Sequence, residues 1–123
     1  MQKLKSDLMT EKYTGVYHED DKHMVYNAPH HFQVRPATYV GESSEILCSV
    51  QFQQGPIKEC GVNGVCNEDL INMVICRLQH FQKSEYACRE NAIAITKLEE
   101  ALLWLRKRTM AREVRGVEGT HKV

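Results

Sequence analysis

The chain has 123 residues, and its sixteen Lys and Arg are balanced by sixteen Asp and Glu. That length supports a single domain, 1–123, with a modest core rather than two independent ones. Zero net charge argues against a general nucleic-acid binder, which needs a basic footprint, and no apolar run reaches the roughly 18 residues of a membrane span.

The start, Met1-Gln2-Lys3-Leu4-Lys5, leads into Ser6 and Asp7 and shows no signal-peptide pattern, so a cytoplasmic protein is expected. Residues 1–55 read as a β-rich part. Tyr13–Tyr17 and His23–Tyr26 flank the acidic Glu19-Asp20-Asp21, the pattern of a hairpin with a polar turn. Pro29 and Pro36 bracket His30–Arg35. Proline restricts both itself and its predecessor, so this piece is expected at a sheet edge or in a loop. Ile46–Phe52 is the clearest strand: Ile46, Cys48, Val50 and Phe52 alternate onto one face, while Ser49 and Gln51 point away. A sheet is predicted; its pairing order is not readable.

Gln54-Gly55-Pro56 ends that strand, and a connector leads to Asn63-Gly64, a turn pair because both residues tolerate positive φ. Asn67 is then the expected N-cap of a helix. Glu68 and Asp69 follow in the first turn, where the helix dipole favours negative charge. This helix is predicted to bury Leu70, Val74, Leu78 and Phe81, with Ile71 and Ile75 alongside. A Gly-rich loop entering a helix is one way to hold phosphate. Here the two acids oppose it, and neither the P-loop nor the dinucleotide fingerprint occurs, so a structural turn is expected.

Lys83-Ser84-Glu85 is short enough to make the next helix an antiparallel neighbour. That helix is expected to start near Ser84 as N-cap and to run past Leu105. Its apolar stripe passes through Ala87, Ala94, Leu98, Ala101 and Leu105, with Ile95 and Leu102 beside it. Asn91 falls on the stripe, where an unpaired buried amide costs about 1–3 kcal/mol. The fold class is therefore α+β: an N-terminal antiparallel sheet packed on a two-helix hairpin over 67–112, with a short tail over 113–123. Between Ala101 and Val123 six Lys or Arg stand against two Glu, so the helix end and tail are locally cationic. Two readings stand side by side. Basic residues at a helix C-terminus complement its dipole, and Asn91 can bond a neighbouring backbone. Alternatively, the amide and the guanidinium cluster belong to an anion pocket. Trp104 lies off the stripe beside the basic end, where it covers an interface or stacks on a flat ligand. The tail is too short to fold alone and must dock on this subunit or a partner to be ordered.

The five cysteines, Cys48, Cys60, Cys66, Cys76 and Cys88, form an odd set with no C-x-x-C pair, which points to reduced thiols. Cys76 and Cys88 fall within helix patterns, where a small hydrophobe is the default role. None of the six histidines completes a zinc pattern, so no metal site is expected. No Ser or Cys has a readable His-plus-carboxylate setting, and Glu99-Glu100 reads as a solvated pair. Enzyme is the weaker class.

Several segments carry a resemblance: Phe52-Gln53-Gln54-Gly55-Pro56-Ile57-Lys58-Glu59, Gly61–Val65 with Asn67–Leu70, Ala87–Ala92, Glu99–Leu105 and Arg115–Thr120. Together, from about Gln51 to Val123, they resemble the first type of Thoeris anti-defence protein, a phage family whose helical hairpin is shared with phage anti-CBASS nucleotide sponges. The resemblance implies a cofactor-free protein of the host bacterial cytoplasm that captures cyclic ADP-ribose isomers made by bacterial TIR-domain proteins, without degrading them. It also implies a homo-oligomer, dimer or hexamer, and cyclic di- or trinucleotides as a further class of ligand. For a cyclic ADP-ribose, Phe81 or Tyr86 is expected to stack the adenine and Asn91 to bond its edge or a ribose. Arg108, Arg112 and Arg115 are expected to hold the pyrophosphate, with Arg89 and Thr120 completing the candidate set. The alternative is a small phosphate- or nucleic-acid-binding accessory protein that uses the C-terminal arginine cluster. A hydrolase of the same signal is the third reading.

Overall fold

Glu19 decides how the first strands pair. In the computed structural model, which describes residues 1–9, 11–38 and 45–123, its carboxylate accepts the main-chain N–H groups of His30 at 3.0 Å and His31 at 3.2 Å. The His18 ring donates from Nδ1 to the Glu19 carbonyl, and His30 donates from Nε2 to the Val25 carbonyl. These bonds pin residues 19–30 as a long excursion, so β2 (Thr14–His18) pairs antiparallel with β3 (His31–Pro36). The expected hairpin with His23–Tyr26 does not form. Asp21–His23 is a 3-10 turn, and Val25 meets only Ala28 across a tight turn whose central Tyr26 and Asn27 both have positive φ.

Among the described residues the sheet has four strands in the order β1-β2-β3-β4, where β1 is Gln2–Lys3 and β4 is Cys48–Gln51. The bracketed segment is thus an inner strand, not an edge: Val34 pairs with Val16 on one side and Cys48 on the other. Its prolines do no harm because Pro29 precedes the ladder and Pro36 occupies its last position. β4 is shorter than the expected strand, starting at Cys48 with Ile46 and Leu47 well exposed. Its predicted inward face survives in part. Val50 lies opposite Phe32, and the rings of Phe32 and Phe52 meet edge to face at 5.5 Å.

The described residues divide into two compact units, Met1–Gly55 with Cys60–Gly64 and Pro56–Glu59 with Val65–Val123. In the first, Asn63 turns the chain by its side chain rather than by positive φ. Its amide accepts the Gln54 N–H and donates to the Gln54 carbonyl, both at 2.8 Å. Gly64 is required for close approach, since a Cβ there would lie 2.5 Å from the Phe52 carbonyl.

The second unit holds a single-turn helix, α1 (Ile57–Cys60, whose last residue falls in the first unit), and the long helices α2 (Asn67–Gln82) and α3 (Arg89–Val114). The N-cap of α2 is Cys66, one residue before the expected Asn67, and its N–H donates to the Asp69 carboxylate at 2.8 Å. Burial, and then the Asp69 and Glu68 anions, push the Cys66 thiol up. Ile75 is the most buried residue of α2, while Val74, expected inside, is exposed. The connector is also longer than expected. Ser84 bonds within the turn, to the Phe81 carbonyl and the Tyr86 N–H, instead of capping α3. Cys88 caps it in extended conformation, held through both its N–H and its carbonyl by the Gln82 amide. The stripe from Ala94 to Leu105 is only half-buried, and no residue of α3 is fully buried.

All five cysteines are free thiols, and Cys76 and Cys88, read as small hydrophobes of the helix patterns, are exposed. Among the described residues no helix is long and apolar enough to cross a membrane.

Candidate functional site

The C-terminal end of α3 builds a strongly cationic concavity. Gly116, at φ +72°, closes the helix with its N–H on the Glu113 carbonyl, and the Val117 N–H reaches back to the Arg112 carbonyl at 3.0 Å. This pair of bonds is a Schellman motif, which turns the chain sharply and buries the next apolar residue. Here that residue is Val117, 9% exposed. The tail therefore docks on its own subunit, as one of the two sequence readings required.

Arg112 holds the returning tail. Its Nη2 donates to the carbonyls of Val117 at 3.0 Å and Thr120 at 3.1 Å. The Thr120 hydroxyl donates to the Val117 carbonyl, tightening the same loop. Arg115 donates to the main-chain oxygen of Val123 at 2.6 Å. Arg108 is exposed and bonds to no other described residue. Spaced at i, i+4 and i+7, these three arginines share one helix face. With Thr120 they line a hollow of about 500 Å³, to which the tail adds His121, Lys122 and Val123; among the described residues no Asp or Glu lines it. The volume is within the range of small-molecule sites.

The aromatic candidates lie at the other end of the hairpin. Phe81 and Tyr86 meet edge to face at 6.4 Å, and the Arg77 guanidinium sits 5.3 Å above the Phe81 ring. One face of Phe81 is thus already covered; Tyr86 is the more exposed ring. Asn91 is half-buried on the inward stripe of α3, and its amide bonds to no other described side chain or backbone group. Arg89 opens α3 and, with Ala92, Ile93, Thr96 and Lys97, lines a separate shallow hollow. From Asn91 to Arg108 the unbroken helix spans about 25 Å at 1.5 Å per residue. Of the eight candidates, Arg108, Arg112, Arg115 and Thr120 come together, Phe81 and Tyr86 form a second group, and Asn91 and Arg89 stand at the start of α3.

Sequence reasoning missed Arg77, His121 and Lys122, although His121 and Lys122 belong to the tail that carried the cationic excess. It also missed α1. The Lys58 N–H donates to the Gly119 carbonyl at 2.8 Å, Lys58 Nζ lies 3.7 Å from the Glu118 carboxylate, and the Glu59 carboxylate bonds the His121 ring. No cluster of His, Cys, Asp and Glu among the described residues has the geometry of a metal site.

The family model of the Acb2/Tad1 hairpin domain matches residues 44–110, more than half of the chain. A curated protein of Bacillus phage SBSphiJ7, "Thoeris anti-defense 1", is 53% identical over 141 aligned positions that cover 99% of each chain. The chain belongs to this family. The family match takes in β4, α1, α2 and α3 as far as Met110; Arg112, Arg115 and the tail that complete the hollow fall beyond it, within the stretch covered by the match to the phage relative.

Proposed function

We propose that this protein is a phage immune-evasion sponge that binds a cyclic ADP-ribose-type signal and withholds it without degrading it. The observation that carries the reading is the convergence of Arg108, Arg112, Arg115 and Lys122 on one hollow that, among the described residues, no Asp or Glu lines. A pyrophosphate is the natural partner of such a group, because guanidinium–phosphate bonds are charge-assisted and geometrically matched. Family membership supplies the defence context.

The base and ribose would be recognised by Tyr86, Phe81 and Asn91. A small ligand cannot reach them and the arginines from one copy of the chain, so the complete site takes its two ends from two copies. The exposed flank of α3 suits this arrangement. Leu103 is 69% and Trp104 68% exposed, the latter beneath the Lys107 ammonium, and monomers seldom leave such apolar area bare.

Titration calorimetry with cyclic ADP-ribose tests the reading. Binding by the parent protein and roughly ten- to hundredfold weaker binding by Arg108→Ala are expected. Equal affinity in both would remove the arginine hollow from the site. A salt-sensitive affinity for duplex or single-stranded nucleic acid, with indifference to the nucleotide, would favour the accessory-protein alternative.

A further inference from the structure

We infer that Lys58 and Glu59, on the single turn of α1, are positioning residues that preset the arginine hollow by holding the tail against α3. The inference rests on the proposed reading for its purpose, but its structural basis is independent. The tail from Val117 to His121 is gripped from two sides. On one, Arg112 takes the carbonyls of Val117 and Thr120. On the other, Lys58 donates its N–H to the Gly119 carbonyl, and its stem lies so close that a Cβ on Gly119 would stand 2.8 Å from Lys58 Cγ. The Lys58 ammonium faces Glu118, and the Glu59 carboxylate bonds the ring of His121, which itself lines the hollow.

The consequence is preorganisation. Arg112 is oriented by the two tail carbonyls it binds, and Arg115 by the Val123 oxygen, so moving the tail moves the guanidinium groups. Guanidinium groups fixed before a ligand arrives do not lose their rotamer freedom at binding, which is where preorganised sites gain affinity. The ion pair between Lys58 and Glu118 is exposed and weak by itself. What holds the tail is the set of ties acting together.

Charge and position predict opposite signs for one substitution, which makes the inference testable. Glu59 is an anion beside a cationic hollow, so on field alone Glu59→Ala should tighten anion binding. If Glu59 positions the tail, Glu59→Ala should instead weaken binding of cyclic ADP-ribose and of inorganic pyrophosphate, by roughly two- to tenfold for one lost hydrogen bond. Glu59→Gln keeps an acceptor for the imidazole N–H and should stay within about twofold of the parent or bind more tightly. Hydrogen–deuterium exchange read on the same variants needs no ligand. Faster exchange of residues 117–122 in Glu59→Ala, with residues 89–110 unchanged, is expected, and Glu59→Gln should restore protection. Unchanged tail exchange, or tighter binding by Glu59→Ala, would overturn the inference. A parent protein that binds neither probe would overturn the proposed function instead, while the exchange result still decides the tail's anchorage.

Discussion

Arg112 and Thr120 are joined by a bond from the guanidinium to the tail carbonyl, 3.1 Å long, so an arginine expected to hold a phosphate also holds the chain that shapes the site. The two roles separate by comparison with Arg108, which bonds to no other described residue. Arg112→Ala is expected to lower both thermal stability and ligand affinity. Arg108→Ala should leave the melting temperature within a degree or two and cost about 1.5–3 kcal/mol of binding if it meets a phosphate oxygen. Melting curves and calorimetry on the pair check this; equal destabilisation by both variants would contradict it.

Gly116 carries the Schellman turn at φ +72°, with open space around the position of a Cβ. Gly116→Ala therefore introduces no clash, only the backbone cost of a left-handed L-residue, about 1–2 kcal/mol. In a domain of this size that lowers the melting temperature by several degrees. A melting curve that does not move would show that the turn has rearranged.

Asn91→Ala tests pocket against scaffold. The amide bonds to no described group, so its removal should scarcely change stability. It should weaken ligand binding by roughly 0.5–1.5 kcal/mol if the amide meets a neutral group of the ligand. A destabilised variant that binds normally would return Asn91 to the scaffold.

Much of this was legible in the sequence, and the failures share a cause. The two long helices, their apolar stripe and the common face of Arg108, Arg112 and Arg115 follow from local periodicity. The start of α3 did not, because Ser84 is a good cap by type but is occupied in the turn, while Cys88, a poor cap by type, is held by the Gln82 amide. The strand pairing failed for a longer-range reason. Glu19 reaches His30 and His31 across the excursion, and nothing in the alternation of Tyr13–Tyr17 announces that partner. The bond between Glu59 and His121 spans half the chain and leaves no local mark at either end.

The Glu19 clamp predicts a pH dependence. Partial burial alone would raise its carboxyl, but the N–H groups of His30, of Glu19 itself and of His31, with the nearby His30 charge, outweigh it and hold the group below its ordinary 4.5. A depressed folded value means the carboxylate's contribution is complete above pH 4.5 and is lost as the pH falls through the lower folded value. Acid titration of stability should show this loss in the parent protein, and Glu19→Gln should lack that part of the slope while being less stable at neutral pH. Parallel slopes would contradict the clamp.

The exposed Leu103 and Trp104 predict an assembly of at least two chains. Light scattering at micromolar concentration should report a mass above that of one chain; a stable monomer would remove the two-copy site.

Capture without turnover is the central claim, and mass spectrometry of what the protein retains tests it most directly. The protein is incubated with a small-molecule extract of cells expressing an active TIR-domain defence protein, washed, and denatured. Release of an intact cyclic ADP-ribose isomer, in proportion to protein and absent from an Arg108→Ala control, is the predicted result. Recovery of linear ADP-ribose formed only in the presence of the protein, or of no nucleotide at all, would contradict it.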